Sequence, residues 1–146
     1  MVRAMMGWLR RWLGPGERPR PENLRRGRVG EDAAARHLRD SGWKVLARNY
    51  TDGRGELDIV ATNGLCVAFV EVKARTEGGW GRPADAVDRA KRRRVCAAAL
   101  HYLRAAGTPR VRIRFDIVEV LLRDGKAAEV RHLEDAFGLE GGRMYP

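Results

Sequence analysis

Four charged residues, Glu56, Asp58, Glu71 and Lys73, lie within two apolar, β-rich segments near the middle of the sequence. Buried charges are costly unless they are paired, hydrogen-bonded or bound to a metal ion. Mg²⁺ is typically held by one or two carboxylates together with water and phosphate oxygens. These residue types therefore predict that the two segments meet to form a site for a hard divalent cation.

The dipeptide Asn63-Gly64 separates the two segments and predicts a β-hairpin. Both central residues of the favoured two-residue turn need a positive φ, which Asn and Gly tolerate best. With these two residues as the loop, Thr62 lies opposite Leu65. A bulge that moved the pairing by one residue would change which side chains face each other.

Side chains alternate along a strand, so this hairpin gathers its charges on one face. Counting back from the loop, Asp58 lies opposite Phe69, and Glu56 lies opposite Glu71. Asp58 and Glu71 are then diagonal neighbours with Cβ atoms roughly 7–8 Å apart, so both can reach one cation. Lys73 lies two residues further along the same face. The alternative is an edge hairpin with solvated charges, but the apolar residues around Glu71 favour the cation site.

Before the hairpin, the pattern predicts a helix over 28–41 and a strand over 43–50. Leu38 anchors the apolar stripe of the helix, and Glu31 falls seven residues earlier on the same inward face. Glu31 could therefore point toward the hairpin. It could equally be a first-turn acid that complements the helix dipole.

After the hairpin, a loop over 76–82 leads to a second helix over 83–106. Trp80 in this loop could stack on a base or anchor the loop by packing. Lys91 lies on the apolar stripe, where it could snorkel, contact the hairpin carboxylates or contact a phosphate. The basic cluster at 89–94 is either a phosphate-contacting patch or a solvated face. The basic candidates for nucleic-acid binding are Arg75, Arg89, Lys91, Arg92 and Arg93, and Trp80 is the aromatic one.

Two strands, over 111–122 and 127–133, are predicted after the second helix. Arg114 and Asp116 share a face of the first of these strands, so we expect a structural ion pair. The segment 132–137 could close a short helix or lid. Cys66 and Cys96 form no disulfide framework, and Cys66 faces away from the charges as a core thiol.

Length and composition indicate one domain with a hydrophobic core, over 28–137, between a basic Pro/Gly/Arg-rich tail at 1–27 and a C-terminal tail at 138–146. The chain has 146 residues and a net charge of +10. This charge favours nucleic acid as partner, with an anionic membrane surface second. The excess of arginine over lysine could also reflect a GC-rich coding bias.

Targeting signals are not evident in the sequence. No apolar run approaches the length of a membrane span, and the first residues lack the features of a secretory signal. We therefore expect a cytoplasmic protein. The short segment 8–13 could form an amphipathic turn that touches a membrane, a partner or nucleic acid. The Pro/Gly-rich segment 14–21 cannot extend a helix and favours a disordered basic tail instead.

The ordered set of charged motifs resembles the restriction-endonuclease-like fold with its PD-(D/E)XK site, in the branch of the Holliday junction resolvases. Within that fold, it is most similar to the YraN-like family of uncharacterised bacterial proteins. The resemblance covers about residues 28–137. The matching pieces are GEDAA at 30–34, RNY at 48–50, GELDIV at 55–60, FVEVKAR at 69–75, Lys91, and RFDIVEV at 114–120.

This resemblance implies an α/β fold with a mixed central sheet flanked by helices in the order α-β-β-β-α-β-β. It also implies a nuclease site for Mg²⁺ or Mn²⁺ that hydrolyses phosphodiester bonds in DNA. Asp58 and Glu71 would be catalytic and would hold the metal, and Glu31 would add to its shell. Lys73 would be catalytic by orienting water or stabilising charge.

Three functional hypotheses follow. The first is a metal-dependent endonuclease acting on DNA, which could be branched or structured; the resolvase analogy favours a homodimer. The second is a non-catalytic nucleic-acid-binding module that retains the nuclease fold. The third and weaker one is a membrane-surface or assembly protein that uses the basic tail. Asp58, Glu71 and Lys73 favour the first, because a pure binder has no need of carboxylates near phosphates.

Overall fold

A five-stranded sheet with one helix on each face forms the body of the protein. The computed structural model describes residues 22–53, 55–76 and 88–138. In chain order the elements are α1 (Glu22–Asp40), β1 (Lys44–Thr51), β2 (Glu56–Thr62), β3 (Cys66–Thr76), α2 (Arg89–Ala105), β4 (Arg112–Arg123) and β5 (Lys126–Phe137).

The sheet is mixed, and its strands are ordered β1-β2-β3-β4-β5. β3 and β4 are parallel, and α2 provides the crossover between them. The other three strand pairs are antiparallel. The predicted α/β class, the α-β-β-β-α-β-β order and the mixed sheet flanked by helices are confirmed. Within the described ranges, neither helix has the length and apolarity needed to span a membrane.

The alternation of β3 divides the hydrophobic core into two layers. Val67 and Phe69 pack with Leu103 and other residues of α2. Ala68 and Val70 face the opposite layer, which contains α1. The predicted division of β3 into two faces is therefore confirmed. Both cysteines are buried and neither forms a disulfide, as expected.

The pairing within the central hairpin differs from the prediction by two residues. Thr62 lies opposite Val67 instead of Leu65. The reason is local, because the Asn63 carboxamide oxygen accepts hydrogen bonds from the backbone N–H groups of Leu65 and Cys66 at 2.9 and 3.0 Å. An Asn side chain that bonds its backbone two residues on makes an Asx turn. This turn closes a four-residue loop.

The placement of Asp58 opposite Phe69, and of Glu56 opposite Glu71, is therefore wrong. Phe69 pairs with Val60. Continuing the observed register brings Asp58 beside Glu71. The shift is an even number of residues, and side chains alternate with a period of two. The assignment of residues to faces therefore survives the error.

Two element boundaries also differ from expectation. α1 begins at Glu22 instead of residue 28. Its additional residues are mostly Glu, Leu and Arg, which favour helices without needing an apolar stripe. The segment 132–137 is strand instead of a helix or lid, and β5 continues to Phe137. The backbone N–H of Asp135 donates to the buried Asp116 carboxylate, which holds this end of β5 to β4. Residues 83–87 of the predicted second helix lie outside the described part, and Asp88 is its N-cap.

Candidate active site

Asp58 lies where the backbone pairing between β2 and β3 ends. The last observed pair of this ladder is Ile59 with Val70. Beyond it, Asp58 Oδ2 accepts a hydrogen bond from the backbone N–H of Val72 at 2.8 Å. A side chain thus occupies the place that a backbone carbonyl holds elsewhere in the ladder. This bond fixes the Asp58 carboxylate next to Glu71.

The two carboxylates repel each other in a site with little water. Glu71 is only 4% exposed. Burial, followed by the nearby charge of Glu71, raises the pKa of Asp58 to about 8, although the Val72 N–H acts in the opposite direction. Desolvation and a like charge both disfavour an ionised carboxylate. Burial and repulsion therefore keep a proton on Asp58 at neutral pH, which a bound cation would displace.

Lys91, on the first turn of α2, supplies the nearest positive charge. Its Nζ forms an ion pair with Glu71 Oε1. The Asp88 carboxylate caps this turn by accepting from the backbone N–H of Lys91 at 2.8 Å. Of the three alternatives left open for Lys91, contact with the hairpin carboxylates is the one observed. Lys91 acts mainly on Glu71 and is only a minor influence on Asp58.

An open cleft of about 460 Å³ gives access to these side chains. One wall is the loop before β2, and the other is α2. At Gly55 the two walls are in contact, since a Cβ there would overlap the backbone of Arg94. The charged lining residues are Glu56, Asp58, Glu71, Lys91 and Arg94, joined by Thr51, Gly53, Gly55 and Val95.

Glu31 approaches Asp58 from α1, on the other side of the sheet. Its negative charge contributes to the raised pKa of Asp58. Burial raises the pKa of Glu31 itself, against a hydrogen bond with Asn49 and the charge of Arg48. Arg48 Nη2 is 3.9 Å from Glu31 Oε2 and 2.7 Å from Asp32 Oδ1. Glu31 is therefore close to the carboxylate pair but is held by partners of its own.

The side chains present fit a divalent cation with two protein ligands. Among the described residues, no three His, Cys, Asp or Glu side chains converge at one point that could hold a metal ion. Mg²⁺, however, is commonly held by one or two carboxylates, with waters and phosphate oxygens completing its shell. Asp58 and Glu71 match that requirement. Glu31 is near enough to act on Asp58 electrostatically, but the structure does not gather it as a third ligand.

Lys73 and Arg75 lie further along β3 and outside the cleft. They line a separate hollow of about 370 Å³ together with Arg26 and Thr76. Arg75 Nε is 3.7 Å from Oε1 of the fully buried Glu119. The lysine that the structure brings to the carboxylates is therefore Lys91, from a different element than the sequence motif suggested.

Three of the remaining predicted residues, Arg89, Arg92 and Arg93, lie on α2. Arg89 and Arg93 are exposed. The Arg92 guanidinium lies over the ring of Phe137, 5.6 Å from its centroid. Trp80 lies outside the described residues. Arg94 also lines the cleft. It belonged to the predicted basic cluster but was not named as a candidate. It is three residues after Lys91, a spacing that places two side chains on one helix face.

Two residues that sequence reasoning did not single out also support the site. Arg48 contacts Glu31 and Asp32. Asn49, which bonds Glu31, has a positive φ of 50°, a conformation that Asn adopts more readily than most residues. Both belong to the RNY motif at 48–50, for which the sequence predicted no role. Their contacts with α1 depend on tertiary packing, which the motif alone does not indicate.

Fold and site together define an α/β protein whose mixed, helix-flanked sheet carries a buried Glu71, a half-buried Asp58 and a lysine at the open end of two strands. The model of the uncharacterised protein family UPF0102 matches residues 30–120, which include Glu31, Asp58, Glu71 and Lys91. The chain belongs to this family, and the YraN-like resemblance of its motifs is thereby confirmed.

Individual relatives match along most of their length. The UPF0102 protein of Rhodococcus jostii (strain RHA1) is 41% identical over 115 residues, which cover 79% of this chain and 98% of the relative. The UPF0102 protein of Porphyromonas gingivalis (strain W83) is 45% identical over 117 residues, 78% of this chain and 84% of the relative. The UPF0102 protein of Myxococcus xanthus (strain DK1622) is 46% identical over 111 residues, which cover 76% of this chain and 87% of the relative.

Proposed function

We propose that this protein is a metal-dependent endonuclease that hydrolyses phosphodiester bonds in DNA. The observation that carries the proposal is the pair Asp58 and Glu71, which lie side by side in an open cleft with Lys91 and Arg94 on its wall. A buried pair of carboxylates with a strongly perturbed pKa in a cleft is typical of functional sites. Basic side chains beside it suit an anionic substrate.

Asp58 and Glu71 would hold Mg²⁺ or Mn²⁺. A cation there would favour the ionised form of Asp58, against the burial and the Glu71 charge that raise its pKa to about 8. When bound, the metal would supply polarisation of the phosphoryl oxygen and activation of a water molecule. The Val72 N–H orients the Asp58 carboxylate toward this position. Glu31 adds negative potential from α1 without being required as a ligand.

Lys91 is the side chain best placed to act on charge that develops at the phosphate. It is paired with Glu71 in this structure and projects from the first turn of α2. Once Glu71 binds a metal, the ammonium group can turn to a substrate oxygen, with Arg94 one helical turn further along. The role that the resemblance gave to Lys73 therefore passes to Lys91 in this proposal.

DNA is the expected substrate, and the net charge of +10 supports an anionic partner of this kind. A preference for branched DNA, a homodimer with two cleavage sites, and action in the cytoplasm belong to the same proposal. They follow from the similarity to Holliday junction resolvases. Each can be tested separately from the chemistry.

The test is a cleavage assay on linear, flap and four-way-junction DNA with Mg²⁺, Mn²⁺ or EDTA. We expect metal-dependent cleavage by the wild type and a loss of at least about 100-fold in Asp58→Asn and Glu71→Gln, because charge stabilisation of this kind contributes that much. Asp40→Asn and Glu129→Gln remove exposed carboxylates away from the cleft and should cleave normally.

Two results would contradict the proposal. Equal cleavage by the wild type and the cleft variants would identify a contaminating nuclease. Tight DNA binding with no cleavage under any metal would favour the non-catalytic binding module.

A further inference from the structure

A second basic surface lies at the other end of β3, away from the carboxylates. We call it the basic trough. It has a volume of about 740 Å³ between the first turns of α1 and the turn that joins β4 to β5. Its lining residues include four arginines, Arg25, Arg26, Arg28 and Arg123.

Positive charge exceeds negative charge in the trough. Its acidic lining residues are Asp32 and Asp124. Asp32 is bound by Arg48, which lies outside the trough, at 2.7 Å. Two of the arginines also lie close to the N-terminus of α1, where the helix dipole disfavours a cation. The dipole and the arginines therefore add to one positive potential that attracts an anion.

The trough and the candidate active site are joined along β3. The hollow that contains Lys73 and Arg75 shares Arg26, Thr76 and Leu122 with the trough. Lys73 is two residues after Glu71 on the same strand. Basic side chains therefore line both hollows, from Lys73 to the trough. Together the two hollows have six cationic residues, the four of the trough plus Lys73 and Arg75.

The separation of the two sites can be estimated from the strand between them. Thr76 lies five residues after Glu71 on β3, which corresponds to roughly 16 Å at the rise of a β-strand. Each strand of a DNA duplex advances 3.4 Å per nucleotide along its axis, so this separation is equivalent to about five base pairs. Glu71 lies on the α2 face of β3 and Thr76 on the α1 face, so a duplex that contacts both sites must cross this end of the sheet.

We propose that the basic trough binds the phosphate backbone of a DNA duplex about five base pairs from the phosphodiester bond in the cleft. This inference rests on the proposed function, because it assigns a second contact to the same substrate. Arginine suits this role because its planar guanidinium donates two parallel hydrogen bonds to phosphate oxygens. The contact supplies affinity and fixes the orientation of the duplex without reading its sequence.

The test compares two variants that lose the same number of positive charges. The trough variant carries Arg25→Ser, Arg26→Ser, Arg28→Ser and Arg123→Ser. The matched control carries four substitutions of exposed arginines outside the trough and the cleft, Arg36→Ser, Arg39→Ser, Arg104→Ser and Arg110→Ser. Circular dichroism and thermal unfolding of both proteins verify that each is folded.

Fluorescence anisotropy with a labelled duplex in EDTA then measures binding without cleavage. Between about 50 and 200 mM salt, each lost phosphate contact lowers the slope of log K against log salt by about 0.9. We expect the trough variant to bind at least about 30-fold more weakly, with a slope smaller by about 2 to 4. The control should bind within about threefold of the wild type.

Hairpin duplexes of increasing length locate the contact. For the wild type we expect a gain in affinity once the duplex is long enough to extend about five base pairs beyond the cleft, and no such gain for the trough variant. Equal loss of affinity in both variants would overturn the proposal in favour of net charge alone. Loss of binding to vesicles of phosphatidylglycerol with DNA binding intact would overturn it in favour of a membrane surface.

The two proposals fail in different ways. If the trough variant binds weakly but the wild type never cleaves with any metal, the trough contact stands and the nuclease activity fails. If the cleft variants lose cleavage while the trough variant binds like the wild type, the trough contact alone fails.

Discussion

Two carboxylates of this sheet, the buried Asp116 and the half-buried Asp58, have opposite electrostatic environments. Asp116 on β4 accepts two hydrogen bonds from Arg114, at 2.9 and 2.8 Å, and one from the backbone N–H of Asp135 at 2.9 Å. His132 Nε2 lies 2.7 Å from it. Asp58 on β2 has the single backbone hydrogen bond from Val72 and a second carboxylate beside it.

The pKa values of the two groups follow from these surroundings. Burial favours the neutral form at both sites. At Asp116, hydrogen bonds from His132 and Arg114 outweigh burial and hold the pKa below its usual range. At Asp58, burial and Glu71 act together and raise the pKa to about 8. The comparison separates a carboxylate that stabilises the fold from one whose charge is left for a ligand.

The largest expected effect is the difference in the free energy of unfolding between a variant of Asp116 and a variant of Asp58. Asp116→Ala removes the closest partner of the half-buried Arg114 and leaves it paired with Glu134, at 3.5 Å. Breaking a buried ion pair typically costs about 3–5 kcal/mol. Asp58→Asn replaces a carboxyl that is protonated at neutral pH by a neutral side chain of similar shape, so it should leave the free energy of unfolding unchanged or increased. Urea denaturation of both variants measures the difference. A similar loss of stability in the two proteins would mean that Asp58 is also a structural residue.

The pH dependence of stability should also distinguish them. A raised folded-state pKa means that folded Asp58 holds a proton that the unfolded chain releases. Stability should therefore fall by a few kcal/mol as the pH rises from about 4 to about 8. Asp116 has a lowered pKa, so its contribution is present above the unfolded value and is lost as the pH falls below about 4.

Asp58→Asn provides the control for this profile. We expect it to flatten the loss of stability between about pH 4 and 8 and to leave the acid limb unchanged. Unfolding followed by circular dichroism across this range tests both limbs. A wild-type profile that is flat on the alkaline side would contradict the environment assigned to Asp58.

Divalent cations should stabilise the protein through one site only. A ligand that binds only the folded state at 100 times its Kd adds about 2.7 kcal/mol. We expect Mg²⁺ at pH 7.5 to add about 1–3 kcal/mol to the wild type and nothing to Asp58→Asn. A variant of the other site, Asp116→Ala, should keep this gain. Thermal unfolding with and without Mg²⁺ makes the comparison, and an equal gain in all three proteins would indicate a non-specific salt effect.

The smallest effect concerns the ion pair between Lys91 and Glu71. Lys91→Gln removes the cation that competes with a metal for Glu71. We expect Mg²⁺ to bind about 3- to 10-fold more tightly, which corresponds to about 1 kcal/mol. Isothermal titration calorimetry measures this change. Weaker Mg²⁺ binding in this variant would show that Lys91 supports the metal site instead of competing with it.

The parts of this structure that depend on a local period could be predicted from the sequence. The faces of β3, the ion pair of Arg114 with Asp116, and the closeness of Asp58 to Glu71 all follow from alternation along strands. The hairpin register could not be predicted correctly, because the Asn63 side chain competes with the backbone turn. That error was harmless only because it spanned an even number of residues.

Tertiary packing determined what the sequence could not supply. Lys73 is two residues from Glu71 in the sequence, but it lines a separate hollow outside the cleft. The lysine that contacts Glu71 is Lys91, which α2 brings to the cleft. The basic trough forms because α1 begins early and because the β4–β5 turn lies close to it. No local sequence pattern indicates either feature.

A single close contact between α1 and β3 fixes the distance between the candidate active site and the basic trough. A Cβ on Gly30 would lie 2.8 Å from the Cβ of Ala74, so α1 rests on β3 as closely as the chain allows. The same helix carries Glu31 on one side of this contact and Arg25, Arg26 and Arg28 on the other. Any substitution that lifted α1 would move the acid and the arginines together. The spacing between them is therefore a rigid dimension of the molecule, insensitive to motions of its loops.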